Sequence, residues 1–199
     1  MKNLVVKTAA VTLAAIIVLI VAVYLIFALA FPKTLAEGFK AIGSYSLSVK
    51  YYEKQYKKSG GTADLAVLCV VLNEKSDSAR AVKYLGALTE SEDFAVYCAG
   101  EDEHGGFKMT AYEFYYGKYT VAEFYENGID AAITAAKKAV AAGYTENNAF
   151  YVLLVDADTL GAQGGQAVSS AVTEIKSGLT EQEQIDYAQR DIDLANSLV

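Results

Sequence analysis

The chain has 199 residues, 53% of them hydrophobic, and a formal net charge of −7. That length accommodates one domain beside a targeting segment, and the acidic balance excludes a phosphate backbone as a natural partner, so no nucleic-acid ligand is expected. Two cysteines among apolar neighbours, Cys69 and Cys98, do not make a disulfide framework.

In chain order the first predicted element is a long apolar helix. From Thr8 to Phe31 the sequence carries no charge, between Lys7 and Lys33. Those 24 residues reach about 36 Å at roughly 1.5 Å per helical residue, enough to cross a hydrocarbon core of about 30 Å with some tilt. The triplet Ala28, Leu29, Ala30 has the small-x-small form of a signal-peptide cleavage site. The apolar region of a cleavable signal is about 7–15 residues, however, and this one is longer. The expectation is an uncleaved single-pass anchor in the cell membrane over residues 1–32, followed by a helical domain over 33–199. Lys2, Lys7 and the amino terminus on one side balance Lys33, Lys40 and Lys50 on the other. A short basic tail before a first span tends to stay in the cytosol, so the domain is expected on the extracytoplasmic side.

Beyond the anchor, Pro32 ends the first helix and Thr34 with Glu37 has the form of a capping box. Leu35, Ala36 and Phe39 mark one helix face, closed by Gly43. Tyr45, Ser48, Val49, Tyr52 and Tyr56 recur at spacings of three and four, a second helix. A Gly-containing turn between them predicts an αα-hairpin. The pattern returns with Leu65, Leu68, Cys69 and Leu72, a polar turn from Asn73 to Asp77, then Ala81, Leu85 and Leu88. Ser48 and Ala81, 33 residues apart, hold the same place in their units.

Two acidic clusters follow, Glu90/Glu92/Asp93 and Glu101/Asp102/Glu103 beside the lone His104; they are expected in a solvated loop and helix start. The segment with Tyr112, Phe114, Tyr115, Tyr116, Tyr119, Phe124 and Tyr125 is too aromatic for one buried face. Most of its rings are expected in the core, the remainder along a groove. Ala132, Ala136 and Ala139 form a third small-residue face, and Ala167 falls 35 residues after Ala132. Gly161–Gly165 reads as an inter-helix turn. A last helix is predicted from a second capping box, Thr180 with Glu183, with Ile185, Ala188, Ile192, Ala195 and Val199 inward; it would cover the end of a stack.

These units resemble the tetratricopeptide repeat, a helix pair of about 34 residues. The resemblance rests on Leu35, Ala36 and Phe39, on Gly43 and Tyr45, on the small residues Ser48, Ala81 and Ala132, and on Tyr52 and Ala139. It runs from Thr34 to Ala142, and more weakly to Ser177. The chain departs from the family in having no tryptophan and no proline between units. The resemblance implies an all-α superhelix of three to four helix pairs with a C-terminal capping helix. It also implies a scaffold that binds a protein or peptide partner near the bilayer, without a cofactor. Carried over, the groove-facing positions are Glu37, Lys40, Val70 and Asn73, then Phe114 and Tyr125.

Two other readings stand beside it. The run Tyr151–Leu160 ends in Asp156-x-Asp158, which resembles the strand-plus-metal motif of nucleotide-sugar glycosyltransferases, where the two carboxylates would help hold a divalent cation. Read instead as a helix, Phe150, Leu153, Leu154 and Ala157 share a face and both aspartates lie outside it. The third reading is a membrane protein whose helices self-associate. No nucleophile–base pair stands out, and no catalytic residue is assigned.

Overall fold

The computed structural model describes residues 2–98, 109–141 and 143–199. Among them the chain is all-helical, with eleven helices and no strand. It divides into two compact units, Met1–Val71 and Leu72–Val199.

The first unit opens with α1 (Lys2–Ala30), of which Val6–Ala30 is apolar and outward-facing enough to cross a membrane; a signal sequence satisfies the same length and composition. α2 (Pro32–Ala41) starts at the proline, whose missing N–H is no loss in a first turn. That start lies two residues ahead of Thr34. Phe31 therefore occupies the capping position, without a side-chain bond, and the expected Thr34–Glu37 capping box does not form. Gly43, at φ +74°, lets the chain reverse into α3 (Tyr45–Ser59).

α3 packs on both of its predecessors. Ser48 Oγ donates to the Ala36 carbonyl at 2.9 Å, and both residues are wholly buried. Two small side chains thus let α2 and α3 close to hydrogen-bond range. The Phe39 and Tyr51 rings stack at 5.6 Å. Against α1, the hydroxyls of Tyr24 and Tyr51 are paired. Lys54 Nζ donates to the Ala28 carbonyl at 2.6 Å, and Lys58 Nζ to that of Ala30 at 3.2 Å. The partners advance in step along both helices, so α3 runs parallel to the end of α1. α1 has no basic residue in its own last turn. The two lysines satisfy carbonyls that a helix end leaves open and meet the negative end of its dipole. α4 (Thr62–Val71) completes the unit, tied to α3 by Gln55 Nε2 donating to Asp64 Oδ2 at 3.0 Å.

The second unit contains α5 (Ser78–Thr89), α6 (Phe94–Cys98), α7 (Ala111–Asn127), α8 (Ile129–Val140), α9 (Ala149–Asp156), α10 (Gly161–Lys176) and α11 (Gln182–Asn196). The expected second hairpin straddles the division of the chain, since α4 belongs to the first unit and α5 to the second. α7 is the centre of its unit and packs against α5, α8 and α9. It begins at a capping box that the sequence reading passed over: Glu113 N–H donates to Thr110 Oγ1 at 3.2 Å, and Thr110 N–H to Glu113 Oε2 at 2.6 Å. Tyr115 is fully buried beside Phe94, while Tyr112 and Tyr116 pack at 4.6 Å on a half-buried flank. Gly117 faces α9 so closely that a Cβ there would lie 2.9 Å from Val152 Cγ1.

Ala132, Ala136 and Ala139 of α8 are buried in a core completed by Phe150, Leu153, Val168 and Val172. The Gly161–Gly165 segment is the first turn of α10 rather than a connecting turn. Gly165 lies buried at the crossing with α11, where a Cβ would come within 2.6 Å of the Ala195 carbonyl oxygen, while a Cβ on buried Gly164 would come within 2.5 Å of the Leu160 side chain. Close packing, not turn flexibility, therefore explains these two glycines. α11 begins at Gln182 after Glu181, so the expected Thr180–Glu183 capping box is also absent. Its buried face is Ala188, Asp191 and Ala195. Asp191 accepts from Tyr144, Asn148 and Arg190, and Arg190 in turn lies 4.0 Å from the centre of the Tyr151 ring. Cys69 is buried, Cys98 partly so, and neither is in a disulfide.

Candidate functional site

Phe114, Lys118 and Tyr125 occupy one stripe of α7, at spacings of four and seven that bring side chains onto the same helix face. All three are half-buried. Lys118 Nζ sits 5.5 Å from the centre of the Phe114 ring and makes an ion pair with Glu74. It also donates to the Leu72 carbonyl at 3.3 Å. The ammonium is thus fixed by an anion, a ring face and a backbone oxygen at once.

The other end of the stripe meets the end of α9. Tyr125 donates its hydroxyl proton to Asp158 Oδ1 at 2.8 Å, and Lys75 forms an ion pair with the same carboxylate. Lys75 first, then Tyr125, pull the Asp158 carboxyl down to about 2. Asp156, two residues earlier, moves the other way: burial raises it, with Lys75 opposing and Glu74 adding to the rise. Neighbouring carboxylates therefore differ in proton affinity because one points at a cation and the other is partly withdrawn from water.

The loop that carries Glu74 and Lys75 is held by Asn73. Its Oδ1 accepts from the backbone N–H of Lys75 at 3.0 Å and of Ser76 at 3.2 Å, a turn of the Asx type. Asn73 is exposed, but this bond gives its side chain a shaping role in the loop.

Of the six residues expected to face a groove, Asn73, Phe114 and Tyr125 gather around this face. Glu37 and Lys40 are exposed on α2 and Val70 is exposed on α4, in the other unit. The cluster adds three residues that sequence reasoning missed, Glu74, Lys75 and Lys118. Only Lys118 had a local signal, its i, i+4 spacing from Phe114; its ion pair with Glu74 and that of Lys75 with Asp158 join residues far apart in sequence. The Asp156-x-Asp158 pair lies at the C-terminal end of a helix rather than of a strand. Among the described residues no group of three or more His, Cys, Asp or Glu side chains gathers there or elsewhere. Glu101, Asp102, Glu103 and His104 lie outside the described residues.

Chemically the face presents an aromatic ring, a buried-stem cation and a phenol–carboxylate pair at fixed spacing. Lys118 is paired with Glu74, and Lys75 and Tyr125 are both engaged by Asp158. Comparison with protein-family models, with curated proteins and with solved structures yields no match to this chain.

Proposed function

We propose that this protein is a single-pass membrane scaffold with a tetratricopeptide-like helical domain, and that it holds a protein or peptide partner close to the bilayer. The observation that carries the reading is the Phe114–Lys118–Tyr125 stripe, a half-buried aromatic and cationic row on the most central helix of its unit. Burial of small residues supports the repeat-like part: Ser48, Ala81 and Ala132, on which the resemblance rests, are wholly buried. The apolar α1 supports the anchor, and the short basic tail ahead of it supports an extracytoplasmic domain. A partner segment would lay an apolar or cationic side chain on Phe114 and an anionic one near Lys118.

The test is a photoreactive residue placed at Phe114 in the full chain, with cross-linking in intact cells. A discrete protein adduct is expected, and it should fall by about ten-fold when Tyr125→Ala removes the neighbouring anchor, the size of effect that loss of one interface hot spot produces. A diffuse adduct pattern unaffected by Tyr125→Ala would refute the assignment of this face. Protease accessibility of the domain in the same cells reads its side of the membrane.

A further inference from the structure

α7 and α8 reverse on Gly128, at φ +89°, and pack side by side as an antiparallel pair. Between them lies an open cleft of about 390 Å³. Tyr119 and Glu123 form the α7 wall, at the i, i+4 spacing of a single face; Asp130, Thr134 and Lys138 form the α8 wall at the same spacing. The small side chains of Ala131 and Ala135 leave the room between them. Glu123 follows Phe114 by two and a half helical turns, so this cleft lies on the opposite side of α7 from the Phe114–Lys118–Tyr125 stripe.

Glu123 is only 9% exposed, yet its bonds come from neutral donors, Asn127 Nδ2 at 2.6 Å and the Tyr119 phenol. Among the described residues no ion pair reaches Glu123 or the exposed Asp130. Lys138 stands at the end of the cleft away from the Gly128 turn and pairs instead with Glu90, at 3.5 Å. Buried charges are ordinarily matched by an opposite charge, because neutral hydrogen bonds recover only part of the lost hydration. Glu123 is thus a sheltered anion, incompletely compensated by its own chain, at a surface that a ligand can reach.

We infer that this cleft is a binding site in its own right and takes the guanidinium of an arginine side chain on a peptide or protein. A guanidinium is planar, donates through a fork that can bridge two carboxylates, and sheds water more readily than an ammonium. Glu123 and Asp130 supply the two acceptors, on either side of the Gly128 turn. Burial, then the bond to Glu123, raises the Tyr119 phenol, so it stays a donor and holds that carboxylate in place. A divalent metal suits the cleft poorly, since among the described residues no third His, Cys, Asp or Glu joins these two. Lys138 gives the site polarity: its exposed pair with Glu90 exchanges at little cost, so an acidic residue beside the arginine is favoured and a second cation disfavoured.

The probe is N-acetylarginine methylamide, titrated into the full chain in detergent micelles while the Ala131 and Ala135 methyl signals are followed by NMR. Saturable shifts of both methyls are expected. The citrulline counterpart, neutral and of nearly the same shape, should bind about ten-fold more weakly, the loss expected when a hydrogen-bonded charge is removed. Glu123→Gln keeps an acceptor for Asn127 and Tyr119 and should weaken the arginine probe about as much. Asp130→Asn, at an exposed position, should weaken it by about three-fold, whereas Asp193→Asn, the same change of charge on α11, should leave it unaltered. Equal affinity for the arginine and citrulline probes would overturn the site, as would arginine binding that neither Glu123→Gln nor Asp130→Asn weakens. A lysine counterpart that binds as tightly as arginine would overturn the guanidinium assignment. Either failure leaves the Phe114 face untouched, since the two sites share no residue.

Discussion

Tyr144 donates its hydroxyl proton to Asp191 at 2.8 Å, joining a loop before α9 to the middle of α11 across 47 residues of sequence. Asn148 adds a second bond to the same oxygen at 2.8 Å, and also caps α9 through Phe150 and Tyr151. Burial, reinforced by the Asp191 charge, pushes the Tyr144 phenol far above its ordinary range, so it remains a donor at any physiological pH. Asp191→Ala should destabilise the domain by about 2–4 kcal/mol, because two buried donors lose a charged acceptor while half-exposed Arg190 can turn to water. Tyr144→Phe should cost about 1.5–3 kcal/mol, the worth of one bond to a charged group. Urea denaturation measures both, with Asp193→Ala on the exposed face of α11 as the reference. Equal midpoints for Asp191→Ala and Asp193→Ala would show that the network contributes no stability.

Gly117 and Val152 define the closest approach of α7 to α9. Alanine at 117 gains up to about 1 kcal/mol of helix propensity, but its Cβ would lie inside contact distance of the valine. Overpacking costs about 1–3 kcal/mol, so Gly117→Ala should be a net destabilisation. Adding Val152→Ala clears the space, and the double variant should be more stable than Gly117→Ala alone. A thermal melt of the two variants decides it; strict additivity would mean that the helices do not meet there.

Asp156 and Asp158 should titrate in opposite directions from the usual carboxylate value. For Asp158 the folded-state value is depressed to about 2. Its contribution to stability is thus complete above the unfolded value, near 4, and is lost as pH falls towards 2. For Asp156 the folded-state value is raised, so its protonated form is favoured by folding; that contribution is present below pH 4 and is lost as pH rises through the folded value. Carboxyl carbon shifts followed by NMR give the two midpoints separately. Replacing Lys75 by Met should raise the Asp158 midpoint towards 4.

The two thiols should resist alkylation in the folded chain. Burial raises the Cys98 thiol to about 11, which lowers its thiolate fraction about a hundred-fold relative to an ordinary cysteine at pH 8. Cys69 is wholly buried. Iodoacetamide labelling followed by intact mass should give unmodified protein until denaturant is added. Rapid native labelling of either thiol would contradict the burial described.

Local pattern was legible where a single helix face decides the outcome. Spacing put Ala132, Ala136 and Ala139 on one helix face, the repeat resemblance implied close packing at Ser48, Ala81 and Ala132, and all five are buried. Gly43 was read as the reversal between two helices, which its positive φ explains. Competition between nearby signals misled the reading elsewhere. Pro32 starts α2 before Thr34 can cap it, and Gly165 passes for a turn residue until α11 is seen lying against it. Asp191 carries no local signal of its role, because its phenol partner stands 47 residues upstream. The candidate face was half visible: Asn73, Phe114 and Tyr125 were in view, while the ion pairs that organise them join separate stretches of chain.

The bonds from Lys54 and Lys58 end on Ala28 and Ala30, the two small residues of the triplet that has the form of a processing site. A peptidase must draw such a peptide out of helical geometry into an extended one. Here the carbonyls concerned are already claimed by side chains from two helices further on. Any processing at this triplet would therefore compete with closure of the α2–α3 hairpin for the same backbone oxygens.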